Sequence, residues 1–453
     1  VVMPGVPINL TGTPGKVRRP APMLGQHDDA VPAWPAQPAA AARPPVRPGP
    51  LTGITILNSG TFVASPYAGS LLSELGATVI KVEPLTGDPF RRSGYGVNRG
   101  MRSLAINLQT TEGQDAFHEV VKKADAFIDG LRPGVTKRLR IDYETLRGIN
   151  PGIVTMSLSA YGEGGELGHK GGVDMVIQAM SGMMSAQGGD GDPVANTIAI
   201  CDMTTAAMSS LIITLGLLHK ARTGEGQRTW DALAATATYL QSGEITRFEG
   251  RAPSRTGGQD YLGDSPYDRI YAVADGWVRV QAGPGVDDAA AATAVVAALG
   301  VDAAALGGGT AAPGSGSGSG TGAAGDAAAM AAIGAALAPL GGQQAADRLN
   351  AAGLPAVRVR KVGEVIRDPQ LLESEFLHVY PSDNGGFLCG PGQYAVFSRT
   401  GRYGPKKPPG IGEHSRETLA AAGFDEDAIE ALLSGSIVVQ GGPMPHMLAA
   451  AYR

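Results

Sequence analysis

Cysteine is nearly absent: Cys201 and Cys389 are the only two in 453 residues, and they show no CxxC spacing. This argues against a disulfide framework or a structural zinc site, and it fits a cytoplasmic protein. Charge is also sparse, at 17% Asp, Glu, Lys and Arg, with both signs intermixed around a formal net charge of −5. No basic block is long enough to suggest a nucleic-acid partner. No run of 18 or more apolar residues occurs, so no membrane span is expected. The opening residues lack the charged-then-apolar layout of a signal peptide. What is plentiful is glycine, with 66, and proline, with 32. Part of that excess lies in AQPAAAARPPVRPGP (36–50), which reads as an extended, semi-rigid linker after a tail of residues 1–35. Another part lies in GGGTAAPGSGSGSGTGAAGD (307–326), which reads as a flexible surface insertion.

One internal repeat stands out. LTGTPGKVRRPAPMLGQH (10–27) aligns without a gap on FSRTGRYGPKKPPGIGEH (397–414), at a constant offset of 387. Thr13, Pro22, Gly25 and His27 recur as Thr400, Pro409, Gly412 and His414. Four identities in register predict two copies of one chain ending. The tail then reads as the end of a preceding copy, and the chain as the later half of a tandem. The Val1-Val2-Met3 start fits a segment missing upstream.

The length predicts two domains. From Leu51 the pattern is α/β: ITIL (54–57) as a strand, PYAGSLLSELGA (66–77) with helical spacing, then TVIKVE (78–83) as a second strand. Such a βαβ unit implies a parallel sheet. Further strands are expected at SLAINL (103–108), AFIDGL (126–131) and GIVTMSLS (152–159). Helices are expected over TEGQDAFHEVVKKA, 203–222, 227–241 and 326–353, with a β-containing region at 269–283. The expected division is a large α/β domain, 51–250, a smaller domain, 251–380, and a C-terminal segment, 381–453, returning to the large one.

The first βα turn, NSGTFVASP (58–66), is where an open α/β sheet usually binds its ligand. With Glu83 ending the next strand it has the layout of a dinucleotide site, but the GxGxxG pattern is missing, which argues against a nicotinamide cofactor. Asp202, in AICDMTTAAMSS, stands at a boundary between an apolar run and a helix. On local sequence alone it reads as a helix cap.

Ordered stretches over residues 51–437 resemble the class III CoA-transferase family. They include FVASPYAGSLLSELGATVIKVEPLTGDPFR (62–91), NRGMRSLAINLQTTEGQDAF (98–117), LRPGVTKRL (131–139), GGVDMVIQAMSGMMSAQG (171–188), YAVADGW (271–277) and PPGIGEH (408–414). The resemblance implies a Rossmann-like large domain with a smaller second domain, and interlocked ring dimers. It implies acyl-CoA and a small carboxylic acid as substrates, no metal or redox cofactor, and pairing as a homodimer or with a fused sister domain. It places the nucleophilic aspartate at Asp202, after the GGVD motif, forming covalent acyl and CoA intermediates. An apolar strand end over Ile198–Cys201 meeting a helix start would desolvate such a carboxylate and aim it.

The family's glycine loop would correspond to Gly257-Gly258-Gln259, after Arg255. CoA contacts would come from Ala64 in the βα turn, Asn98, Arg102, and Leu131, Arg132, Val135, Lys137 and Arg138 at the LRPG turn. His169 beside Lys170 reads as a surface histidine.

The same family includes α-methylacyl-CoA racemases, whose histidine falls at Val173 here and whose supporting glutamate falls at Ala272. Valine cannot move a proton, which argues against racemase chemistry. Departures also touch the transferase pattern, at Val63, Val173, Pro84-Leu85 and Asp129-Gly130-Leu131. They leave open a non-catalytic CoA-binding half as the alternative.

Overall fold

The computed structural model describes residues 2–30, 49–93, 96–251, 257–258, 260–283, 286–306, 323–381, 387–392, 394–400 and 407–442. The linker 36–50 and the insertion 307–326 fall mostly outside the described residues, as do Arg255 and Gln259. The chain divides into two compact units, Val1–Thr256 with Leu372–Arg453, and Gly257–Leu371.

The larger unit is organised on one eight-stranded sheet. Its strands are β1 (Asn9–Leu10), β2 (Thr55–Asn58), β3 (Thr78–Glu83), β4 (Arg102–Ile106), β5 (Ala126–Asp129), β6 (Val154–Ser159), β7 (Arg228–Ala232) and a final strand Val438–Val439. Across the sheet the order is β1-β7-β6-β5-β2-β3-β4 and then Val438–Val439. Strands β2 to β7 run parallel, while the two short end strands pair antiparallel. Strand order reverses between β2 and β5, which in doubly wound sheets is the point where a crevice opens beyond the strands' carboxyl ends.

Neighbouring residues of a strand point to opposite faces, and β2 shows it: Ile56 enters one core, Leu57 the other. The first core packs Leu72, Val154, Met156, Ile212 and Ile213 beneath the helices Ala64–Glu74 and Ile200–Thr223. The second packs Leu104, Phe117, Phe127 and Leu146, with the helix Thr111–Val121 covering it. Each fully buried large side chain contributes about 1.5–3 kcal/mol. The helix Thr111–Val121 starts where Thr110 Oγ1 accepts from Gly113 N–H at 3.1 Å, a standard N-cap.

Three expectations about local structure are corrected. Residues 227–241 are not one helix: Arg228–Ala232 is strand β7, and the helix Leu233–Leu240 follows. β7 carries no apolar run because Thr229 and Asp231 fill its buried positions, Thr229 Oγ1 donating to Thr155 O at 2.9 Å. Residues 326–353 are two helices, Ala323–Leu337 and Gly342–Ala351, meeting at a sharp bend of 118°. No strand ends at Ile198–Cys201; Ile200 and Cys201 already belong to the first turn of Ile200–Thr223. By length and composition that helix could cross a membrane, yet half of its most apolar window is buried in the protein.

The smaller unit pairs β8 (Gly263–Ser265), β9 (Asp268–Val273), β10 (Gly276–Gln281) and β11 (Ala356–Arg358) in the antiparallel order β11-β10-β9-β8. Its own core contains Tyr271, Val278, Val280, Leu337 and Leu349.

Candidate active site

Buried Asn58 ends β2 and shapes the turn after it. Its Nδ2 donates to Ser65 O at 2.7 Å, and its Oδ1 accepts from Gly60 N–H at 3.0 Å and Ser65 Oγ at 3.2 Å. Gly60 has no room for a side chain: a Cβ would lie 1.9 Å from Ser65 Oγ. Gly60→Ala must therefore push the turn open, and about 1–3 kcal/mol of stability should be lost, read by urea unfolding. Two residues on, Phe62 takes a positive φ of 65°, a conformation that a bulky residue adopts only when its surroundings impose it. The helix Ala64–Glu74 follows with no side-chain cap at Val63, so its first N–H groups are available to an anion.

Across the switch point, β5 ends in buried Asp129, which accepts from Ser157 Oγ at 2.8 Å. Burial pushes the Asp129 carboxyl up to about 6. The next turn brings Gly130, Leu131 and Arg132 toward the first, with a Cβ on Gly130 coming 3.0 Å from Ser65 Cβ. Arg132 lies along Gly171, where a Cβ would meet its Nε at 3.1 Å. A cleft of about 760 Å³ opens between these loops, walled by Phe62, Val63, Leu131, Val173, Met175 and Val176, with Asp202 among its lining residues. Arg132 and Lys170 line it as well, and neither forms an ion pair among the described residues.

Asp202 is the third residue of Ile200–Thr223, so it lies in the helix's first turn and is not its cap. Another carboxylate does the capping. Asp174, buried at the start of the helix Asp174–Met180, accepts from Asp202 N–H at 2.9 Å. Gln178 Nε2 donates to the other Asp174 oxygen, and Gln178 Oε1 accepts from Asn196 N–H at 2.9 Å. The loop before the nucleophile candidate is thereby tied to the helix beside it. The Asp202 carboxylate itself accepts no hydrogen bond among the described residues. Burial, and then the nearby charge of Asp174, raise its pKa to about 7. A desolvated carboxylate without competing donors is a better nucleophile than one in water. Cys201, the residue before Asp202, stays a protonated thiol, its pKa being pushed up to about 12 by burial.

The family model described as CoA-transferase family III matches residues 51–415. The chain belongs to that family. Among curated relatives, the succinate–glutarate CoA-transferase of Agrobacterium fabrum is 33% identical over 260 residues, 53% of this chain and 64% of that protein. The succinyl-CoA:glutarate CoA-transferase of Mus musculus is 26% identical over 406 residues, 86% of this chain and 91% of that one. A crystal structure of a CaiB/BaiF family protein from Brucella suis superposes with a TM-score of 0.71 at 26% identity, over 83% of this chain and all of that one.

Against this family III frame, the residues singled out in the sequence divide into two groups. Ala64, Leu131, Arg132 and Val135 line the cleft together with Asp202, as do Lys170 and Val173. Asn98 does not: it is buried outside the cleft lining, and its Oδ1 has no hydrogen-bond partner among the described residues. Arg102 pairs with Glu417 at the start of β4, and Lys137 and Arg138 are exposed on the short helix Val135–Arg138. None of these three lines the cleft. Gly257 and Gly258 belong to the smaller unit, with Gly258 at φ 142°. No histidine lines the cleft among the described residues, and His169 is exposed beside it.

The sequence reading missed Asp174, which it used only to mark the GGVD motif, and it missed the buried lysine of β3. Lys81 has no solvent exposure; its Nζ binds Gly60 O and pairs with Asp88 at 2.9 Å. The signal available was a lysine in the middle of an otherwise apolar strand, TVIKVE.

Proposed function

We propose that this chain transfers CoA between carboxylic acids, with the Asp202 carboxylate as nucleophile. The observation carrying this is Asp202 in an apolar cleft, held by its own backbone through Asp174 and with its carboxylate oxygens uncommitted. Asp202 attacks the thioester carbonyl; the C–S bond breaks, and CoA leaves as thiolate from a mixed anhydride. The thiolate then attacks the aspartyl carbonyl, releasing the first acid and leaving CoA on Asp202. The incoming carboxylate repeats the sequence in reverse, so that the thiolate ends on the new acyl group and Asp202 is regenerated. No net proton is consumed.

The apolar walls keep water from the anhydride. The free N–H groups at the start of Ala64–Glu74 and the cations Arg132 and Lys170 suit the anionic parts of the substrates. The relatives' names contain succinyl, glutarate and mesaconate, all dicarboxylic, and a cation in the cleft suits a second carboxylate. A dicarboxylic acyl group is accordingly the proposed substrate class.

Incubating the protein with succinyl-CoA, quenching with hydroxylamine and mapping peptides by mass spectrometry should place a hydroxamate on Asp202. An unmodified Asp202 during active turnover would overturn the assignment. The second reading, a non-catalytic CoA-binding half that completes a sister domain, is favoured by the apolar side chains at Val63, Leu131 and Val173. It predicts CoA binding by calorimetry without turnover.

The raised pKa gives the reaction a pH signature. Asp202 must be ionised to attack, so kcat/KM should rise with pH through a midpoint near 7. Asp174→Asn keeps an acceptor for Asp202 N–H but removes the like charge. Its midpoint should move to lower pH, measured as a full pH profile of kcat/KM.

A further inference from the structure

Residues 22–28 and 409–415 fold into the same turn. Met23 N–H donates to the Gln26 side-chain oxygen at 2.8 Å, and Gly410 N–H donates to the Glu413 carboxylate at 2.7 Å. Gln26 N–H returns to Met23 O at 3.1 Å, as Glu413 N–H returns to Gly410 O at 3.2 Å. Asp28 N–H reaches Gly25 O at 3.2 Å, as Ser415 N–H reaches Gly412 O at 3.1 Å. Gly25 and Gly412 both sit in the left-handed region, at φ 74° and 66°, where glycine is favoured. Each pair is related by the same offset as the sequence repeat.

The two turns differ in what they touch. In the C-terminal one, Ile411 lies on Gly87, whose missing Cβ would come 2.6 Å from Ile411 Cδ1. Gly412 N–H donates to Ser103 Oγ at 2.8 Å, His414 N–H to Ser103 O at 3.0 Å, and Arg91 to Pro409 O at 2.6 Å. In the N-terminal one, Met23 and His27 are exposed and Leu24, the counterpart of Ile411, is completely so. It is a formed plug with no socket among the described residues.

The preceding segments show the opposite asymmetry. Asn9 and Leu10 pair with Trp230 and Thr229 of β7, and Thr11 N–H continues to Arg228 O at 3.0 Å. Their counterparts Val396 and Phe397 are 63% and 45% exposed and belong to no strand. One ending thus has its strand seated and its plug free; the other has its plug seated and its strand free.

We propose that this domain exchanges ending strands with a second domain of the same fold. Residues 9–28 are that partner's ending: the strand lies on this β7, and Leu24 plugs the partner's own socket, built like Gly87 and Ser103 here. Residues 396–400 reciprocate by adding to the β7 edge of the partner. Exposed strand edges accept such additions through backbone hydrogen bonds. The inference is independent of the catalytic reading.

The plug is tested in the full chain by Ile411→Leu and Glu413→Gln together, which write the tail's apolar side chain and its amide partner into the C-terminal position and keep Gly410, buried where Met23 is exposed. This variant should melt within about 3 °C of the wild type, a shift of the size that small perturbations give; Ile411→Asp should fall well below it. A fluorescent peptide of residues 19–29 should bind the Ile411→Asp chain and not the wild type, whose socket is filled. The same peptide with Leu24→Asp should bind neither. A labelled peptide of residues 394–400 should bind a Thr11→Pro chain, in which the tail strand loses its bond to Arg228 O, and not the wild type. A double variant as unstable as Ile411→Asp overturns the proposal, as does peptide binding that is absent or equal on wild type and variant. If Ile411→Asp does not fold, the double variant and the Thr11→Pro chain still decide the matter.

Discussion

Asp202→Asn is expected to lower turnover at least about a thousandfold while leaving CoA binding in place. Losing a covalent nucleophile removes the reaction path itself, and comparable losses in other covalent enzymes are of that size or larger. The amide keeps the shape of the carboxylate, and Asp202 N–H still donates to Asp174. The variant should also be more stable, in a pH-dependent way. In the folded protein the Asp202 carboxyl is raised to about 7 from its ordinary 3.8. A raised carboxyl contributes stability in full below its unfolded value and loses it as pH climbs through the folded one. Melting temperatures of the variant and wild type should therefore coincide below about pH 4. They should separate in the variant's favour as pH rises, with the gap levelling above about pH 7. Turnover assays with calorimetric titration of CoA test the first part, and melts at pH 4, 6 and 8 test the second. A variant that transfers CoA normally would remove Asp202 from the mechanism.

The second large effect concerns Lys81, which is not among the residues lining the cleft. Its ammonium is wholly buried between Gly60 O and Asp88, and burial pulls its pKa below the ordinary value against the attraction of Asp88 and Glu83. Lys81→Met leaves Asp88 buried without its partner. Breaking one side of a buried pair costs about 3–5 kcal/mol, which urea unfolding at pH 7 should register. Lys81→Met with Asp88→Asn removes both charges and should recover part of that loss. Because Lys81 also holds Gly60, the single variant should raise KM for acyl-CoA more than it lowers kcat. An unchanged KM in a folded Lys81→Met protein would mean that the turn keeps its shape without the lysine.

Much of the sheet was legible because its parallel strands, buried on both faces, are apolar runs: TVIKVE coincides with β3, and GIVTMSLS contains β6. β7 escaped because its inner positions are Thr229, whose hydroxyl donates across the sheet to Thr155 O, and Asp231, whose carboxylate accepts from Ala232 N–H, and they leave no apolar pattern to read. Asp202, which lines the cleft, was singled out through family spacing alone, since a lone aspartate at a helix start is ambiguous. Its companion Asp174 could not be weighed without coordinates. That the two touch depends on how the helices Asp174–Met180 and Ile200–Thr223 meet, and no local pattern encodes that distance. The same holds for Arg102, whose surface partner Glu417 lies 315 residues away in sequence.

The cleft has two kinds of parts. Its carboxylate stands on a 24-residue helix threaded through the core, with Gly216 packed so closely on Val154 that an added Cβ would sit 2.6 Å away. Its walls, Phe62, Leu131, Val173 and Met175, come from loops and from the exposed face of a short helix. In the mechanism proposed above, the reacting carboxylate and the walls of the cleft are thus carried by separate elements. A library randomised at those four wall positions can search for new acyl groups without disturbing the helix that carries Asp202. Substitutions along the buried side of that helix would spend their effect on folding instead.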